Sequence, residues 1–555
     1  MVCPESWRAS AHDATRMTSR SLAVALIAAV FCSVGAAQAP PGLGAGGLPA
    51  DAGAGAAVAG FEGPWATVDA QPSDTRSFET WWVQALIFLL WGVIGLILLY
   101  TVRHYVFTIN RLLARQEHPF ATVDTMDWPT VTVWVPCHNE EAVVAGTLEA
   151  LLRADYPADR LTIMPVNDRS TDGTRAIIEA YEAQYPTRIR ALHRTDGHPG
   201  KAAALNDACE LTDTDLVLNF DADYLPGRDL IKQLVAPFAD PTVGAVMGRV
   251  VPVNAGANLL TRLQDLERTG GYQVDQQARM NMGLVPQYGG TCGGLRRSAL
   301  DAVGGWRASS LTEDTDITCH LVAEGWRVVY VNRAECYEES PETWPVRVRQ
   351  IGRWARGHTD SALRYAGSFL TSRSMSFWQR VDGLMLLGVY AMGPVLLLGW
   401  ALAMGLFYLG VHPAVGLLAL LAVAGYNTLG NFAAFFEIAS GARLDGQHRR
   451  IRLLPLTLFG FVVSAVATSR AVIAELLPGG EFHWHKTSRF RTPESGVGPP
   501  PGARPSAAVT SRADGSATTH AGAAPLRAPA AAGSSQRELA QAGSHASPLP
   551  TVPSV

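Results

Sequence analysis

Two aspartates separated by one residue, Asp221 and Asp223 in LVLNFDADYLPG, close an apolar run that reads as the end of a buried strand. Two carboxylates so close together at a strand end call for a cation. Further polar side chains recur at comparable places. Asn139 and Glu140 follow VTVWVP (131–136), and Asp168 ends LTIMPVND (161–168). Lys201 stands in the glycine-bounded stretch GHPGKAAALN, and TEDTD offers Glu313, Asp314 and Asp316. In QIGRW, Gln350, Arg353 and Trp354 add an amide, a guanidinium that matches phosphate oxygens bidentately, and a flat indole that suits a sugar ring. Each motif also has a plain structural account. Asp168 would serve to open a turn, and a bare Asp-x-Asp suits a solvated loop. Lys201 would be a surface lysine, TED a helix N-cap with acids in its first turn, and QIGRWARG a basic amphipathic segment on a membrane surface. Their joint occurrence, in order on one unit, is what these accounts leave unexplained.

The elements that must position these groups alternate. VTVWVP is a short apolar strand, and NEEAVVAGTLEALLRA has helical spacing of Val143, Leu148, Leu151 and Leu152. A second strand (161–168) precedes a helix opened by Ser170 and Thr171. RIRALHR, KAAALNDAC and DLVLNFDAD then read as strand, helix and strand. This is an α/β unit with a mostly parallel sheet, in which ligands bind at the carboxyl ends of strands. Asn139, Asp168, Asp221 and Asp223 all fall at those ends.

The unit is set among apolar segments. The chain has 555 residues, a formal charge of −4, 48% hydrophobic and only 17% charged residues. The near-neutral balance gives no argument for nucleic acid as a partner, and the charge deficit predicts membrane segments. Residues 1–39 read as a signal peptide or a marginal membrane segment, with SLAVALIAAVFCSVGAA as its apolar part. Residues 40–78 form a Gly/Ala/Pro-rich linker. Residues 79–102 form a transmembrane helix followed by Arg103, Arg111 and Arg115, which places the downstream side in the cytoplasm. The soluble unit spans 125–370. Three apolar segments fill 383–478, and 495–555 is a low-complexity tail without core-forming residues. Three crossings would put the basic stretch FHWHKTSRFR outside, so one of these segments is expected to lie in the interface or re-enter. Seven cysteines, none at paired or zinc-like spacing, predict reduced thiols.

The motifs PCHNEE, VNDRSTDGT, GKAAALN, DAD, GGTCGGLRR, TEDTDI and QIGRW resemble those of family-2 membrane glycosyltransferases over roughly residues 80–490. The layout is most similar to processive bacterial polysaccharide synthases: the poly-β-1,6-N-acetylglucosamine, chitin-oligosaccharide, hyaluronan and cellulose group. Arg169 stands where that family often has Gly, and Cys137-His138 where it often has an aromatic before Asn.

The resemblance implies a GT-A nucleotide-diphospho-sugar domain flanked by transmembrane helices, in a bacterial inner membrane with the catalytic unit cytoplasmic. It implies Mg2+ or Mn2+ at Asp223, with Asp221 on the ribose or the metal, and Glu140, Asp168 and Lys201 at the nucleotide. It assigns the general base to Asp314, and the acceptor end and diphosphate to Gln350, Arg353 and Trp354. The expected partners are a UDP-sugar, UDP-N-acetylglucosamine first, a growing polysaccharide, the bilayer, and small membrane or periplasmic export subunits. The alternative is a single transfer to a lipid or other acceptor.

Overall fold

The computed structural model describes residues 81–118, 120, 127–410 and 432–477. The expected leader (1–39), linker (40–78) and tail (495–555), the basic stretch 482–491 and most of the apolar run 413–438 lie outside the described residues.

Helix α1 (Trp81–Leu113) continues past the expected end at 102 and carries Arg103 and Arg111 on its last turns. The catalytic unit opens with β1 (Val131–Cys137), α2 (Val144–Leu152), β2 (Leu161–Asp168), α3 (Thr174–Gln184), β3 (Leu192–Arg194), α4 (Lys201–Glu210) and β4 (Leu216–Asn219). The four strands are parallel, with Val131 opposite both Leu161 and Leu216. Buried β-branched and aromatic side chains account for the strands: Val131, Val133, Trp134 and Val135 are fully enclosed, and Trp134 meets Trp306 edge-on at 5.7 Å.

The second half departs from simple alternation. It comprises β5 (Leu225–Pro226), α5 (Leu230–Val235), β6 (Val243–Pro252), α6 (Leu259–Thr269), a π-helical turn (Gly270–Gln276), α7 (Gln277–Asn281), β7 (Gly293–Arg296), α8 (Arg297–Val303), α9 (Glu313–Ala323) and β8 (Arg327–Glu338). The sheet order is β3-β2-β1-β4-β7-β6-β8-β5. Strand β7 runs antiparallel to both β4 and β6, so the whole sheet is mixed, parallel in its first half. Gly293 and Gly294 let β7 sit between its neighbours: side chains there would strike Val246 O and the Leu218 side chain.

Helix α10 (Trp344–Thr371) leads from the sheet to α11 (Phe377–Gly388) and α12 (Met392–Tyr408). A helix over 432–444, α13, and then α14 (Leu454–Leu476) close the described chain. Among the described residues, three stretches are long and apolar enough to cross a bilayer: Trp81–Leu113, Phe377–Tyr408 and Arg450–Leu476. The last of these lies alongside α10. Trp344 meets Phe459 at 5.3 Å, Ala355 packs with Ala471 and Val472, and Arg356 pairs with Glu475 at 3.2 Å. Just before α14, Arg450 is ion-paired with Asp265 of α6. The helix is therefore tied to the catalytic unit near both ends and runs parallel to α10.

A second tie joins α1 to the unit. Arg103 pairs with Asp275 of the π-helical turn at 2.5 Å and with Asp382 of α11 at 3.4 Å. Arg279 of α7 pairs with the same Asp382 at 2.9 Å, and both guanidiniums lie over the Phe107 ring.

Candidate active site

The loop after β1 turns at Asn139, whose φ of 55° is left-handed. Its side-chain carbonyl accepts from Thr171 N at 2.7 Å, and its own N–H donates to Ser170 Oγ at 2.9 Å. Ser170 and Thr171 therefore anchor this loop and do not open α3, which begins at Thr174. Glu140 is buried, and its N–H donates to Thr174 Oγ1 at 2.7 Å.

Asp168 ends β2 with its carboxylate engaged on both oxygens. Oδ1 accepts from Arg194 at 2.6 Å and Arg169 at 3.0 Å, and Oδ2 accepts from Gly200 N at 3.0 Å. Arg169, where the family often carries Gly, does adopt a left-handed φ of 55°. Arg194 was not singled out from sequence. Its side chain is 3% exposed and bridges Asp168 to Asp207 at 2.6 Å. The bond to Gly200 fixes the residue that opens α4 with Lys201.

Lys201 is the hub of the site. Its ammonium donates to Asp221 Oδ1 at 2.7 Å and to the Gly290 carbonyl at 2.9 Å, and lies 3.2 Å from Glu313. Burial opposes its charge, but Asp221 and Glu313 outweigh this and hold its pKa above the ordinary lysine range. Asp221 N donates to Thr291 Oγ1 at 3.1 Å. Asp223 is 2% exposed and accepts from Glu339 N at 3.3 Å. Both aspartates follow β4, as expected.

The TED motif does begin a helix, and Asp314 lies at its mouth. Burial, then the charge of Glu313, push the Asp314 carboxyl up to about 6, while Lys201 and Arg353 pull the other way. Gly290, with φ +71°, lets the loop approach: a Cβ there would lie 2.8 Å from Asp314 Cβ. The structure thus brings Lys201, Asp221, Glu313, Asp314 and the Gly290 loop together, with Asp168 one step behind through Gly200.

The Gln-x-x-Arg-Trp segment lies on α10. Arg353 donates to the Leu311 carbonyl at 3.3 Å, just before α9. Gln350 accepts from Arg347 at 2.9 Å, and Trp354 lies under the Arg347 guanidinium at 5.4 Å. Gly357 packs directly on Thr312, so α10 seats the start of α9. His358, also unmarked in the sequence reading, is buried against Thr315 at 3.3 Å, and burial lowers its pKa to about 4.

The donor set at Asp221 and Asp223 is all oxygen. Among the described residues no cluster of three His, Cys, Asp or Glu side chains suits a metal. A divalent ion on these two carboxylates would complete its shell with water and ligand phosphate oxygens, which is how Mg2+-like ions commonly bind. The residues fit such an ion.

Residues 129–357 match the model of "Glycosyltransferase like family 2". The chain is 32% identical over 293 residues to "Probable glycosyltransferase YdaM" of Bacillus subtilis, covering 51% of this chain and 68% of the relative. It is 33% identical over 297 residues to "Beta-monoglucosyldiacylglycerol synthase" of Synechocystis, covering 53% and 60%. It is 27% identical over 261 residues to "Glucomannan 4-beta-mannosyltransferase 7" of Arabidopsis thaliana, covering 46% and 47%. The chain thus spans between about half and two thirds of the curated relatives it matches.

Proposed function

The chain belongs to glycosyltransferase family 2 and has its GT-A fold, and from that premise we propose a membrane-bound inverting transfer of one sugar from a nucleotide-diphosphate donor to a hydroxyl of a lipid acceptor. The observation that carries this is the position of Asp314. It is a half-buried carboxyl poised near 6, on the side of the site that α10 closes, and α10 packs along the apolar helix α14. An acceptor reaching it from there comes from the membrane side.

The roles follow from the contacts. Asp314 takes the acceptor hydroxyl's proton as that oxygen attacks the anomeric carbon, and a base near 6 is ionised at neutral pH. Direct attack on an α-linked donor gives a β-linkage. Lys201 presents a fixed positive charge to the nucleotide, held by Asp221 and Glu313. Arg194 and Gly200 keep Asp168 and Lys201 in register. Asp223 and Asp221 would hold Mg2+ or Mn2+, which when bound neutralises the charge developing on the leaving diphosphate.

The sequence motifs favoured a processive polymerase of N-acetylglucosamine. The resemblance to a diacylglycerol glucosylating enzyme over 53% of this chain supports the single-transfer reading better. The test is incubation of membranes containing the protein with a panel of labelled UDP- and GDP-sugars, followed by organic extraction. Label should enter the organic phase as a monoglycosylated lipid. Label retained as aqueous polymer overturns single transfer, and no incorporation from any donor overturns the transferase reading.

A further inference from the structure

Between α10 and α14 runs a groove of about 640 Å³, a size common for ligand sites. Its walls differ in kind. Helix α14 contributes Val463 and Val466, and α10 contributes Val346; Val466 is 45% exposed. Set among them are the guanidiniums of Arg349 and Arg353 from α10 and Arg470 from α14. Arg349 and Arg353 are four residues apart, a spacing that puts like charges on one helix face at a net cost. A fourth lining arginine, Arg356, is matched by Glu475. Arg349 and Arg470 are exposed and make no ion pair among the described residues. The groove therefore combines an apolar wall with an excess of positive charge, next to the element that carries Arg353 to Leu311 and the start of α9.

We propose that this groove seats an anionic phospholipid, its acyl chain along Val463 and Val466 and its phosphate between Arg349 and Arg470. Guanidiniums pair with phosphate oxygens bidentately, and basic pockets between membrane helices suit anionic head groups. The apolar wall selects a lipid over a free phosphate, and the unmatched arginines select an anionic head over a zwitterionic one. The inference rests on the membrane-side approach argued above, because it needs α10 and α14 at the bilayer surface.

The test uses the full chain in detergent micelles and a fluorescent phosphatidylglycerol followed by anisotropy. Saturable binding is expected, competed by unlabelled phosphatidylglycerol but not by phosphatidylcholine or inorganic phosphate. The Arg349→Gln, Arg470→Gln double variant should weaken binding roughly 10- to 30-fold, the loss of two basic contacts to an anionic head. Val466→Trp should block the groove independently of charge. UDP binding, measured on the same preparations, should be unchanged in both variants, which shows that they are folded. Equal affinity in the double variant, or equal competition by phosphatidylcholine or by inorganic phosphate, overturns the proposal. Because the readout is lipid binding, it can fail while sugar transfer to a lipid succeeds, and the reverse.

Discussion

Gly290→Ala separates a positional requirement of the site from simple backbone strain. The position has φ +71°, so any L-residue there costs about 1–2 kcal/mol. Against a typical domain stability of about 5–15 kcal/mol the variant still folds. The added Cβ would lie 2.8 Å from Asp314 Cβ and 3.4 Å from Glu313 Oε1. Carbon pairs prefer about 3.5–4.0 Å, so Asp314 must retreat by roughly 1 Å. A displacement of that size at a reacting group costs on the order of 10²-fold. Gly283→Ala is the matched control, with φ +62° and no atom within 4 Å of its added Cβ. The assay is initial-rate sugar transfer on abundance-matched membranes, with thermal midpoints of both variants. Both should lose similar stability, and only Gly290→Ala should lose turnover by about 10²-fold. Equal turnover in the two variants would refute the placement of the Gly290 loop against the base.

Asp314→Asn keeps the shape and removes the proton acceptor; turnover should fall by at least ~10²-fold with nucleotide affinity nearly unchanged, and lost UDP binding would move Asp314 to the donor site. Because the Asp314 carboxyl is raised to about 6, and its ionised form is the active one, wild-type turnover should climb through pH 6 and level off above it. A flat profile from pH 5 to 7 contradicts the assignment. EDTA should abolish transfer, Mg2+ or Mn2+ should restore it, and Asp223→Asn should stay inactive at any added metal; full activity in EDTA sinks the metal role. If α14 lies along the cytoplasmic surface with both ends on the catalytic unit, Leu477→Cys should react with an impermeant maleimide in inverted vesicles and be protected in spheroplasts, whereas a crossing helix gives the opposite pattern.

The strands and helices of the first half were legible because their apolar period and terminal carboxylates are local signals. Asp168, Asp221 and Asp223 fall at strand ends as read. The antiparallel β7 was not legible, since its four residues are two glycines, Leu295 and Arg296, and only its neighbours decide its direction. Ser170 and Thr171 look like helix-opening residues, yet a left-handed Asn139 thirty-odd residues earlier claims them. Arg194 carries no local signal at all, because its meaning lies in two carboxylates 26 and 13 residues away. The segment at 350–354 suits an acceptor site and a membrane-surface helix equally by its residue types. Gln350 and Arg353 line a groove against α14, a neighbour that no local signal announces. The ties that hold α14 to the catalytic unit are pairs 119 and 185 residues apart in sequence, which leave no local signal.

The charged tie between α1 and the catalytic unit also sets a timetable for biogenesis. Arg103 leaves the ribosome 172 residues before Asp275 and 279 before Asp382. At about 5–20 residues per second, the wait for Asp382 is roughly 15–55 s. During that interval α1 is already available to the membrane, and Arg279 has no aspartate from α11 to meet. The unit cannot complete its membrane-facing side until α11 is made. Freed from those helices, Asp275 and Arg279 would keep only their mutual contact at 3.4 Å and lose Arg103 and Asp382, and breaking a buried charge network in this way is destabilising. A fragment ending before α11 should therefore accumulate as a chaperone substrate, so insertion and domain folding form a single assembly event.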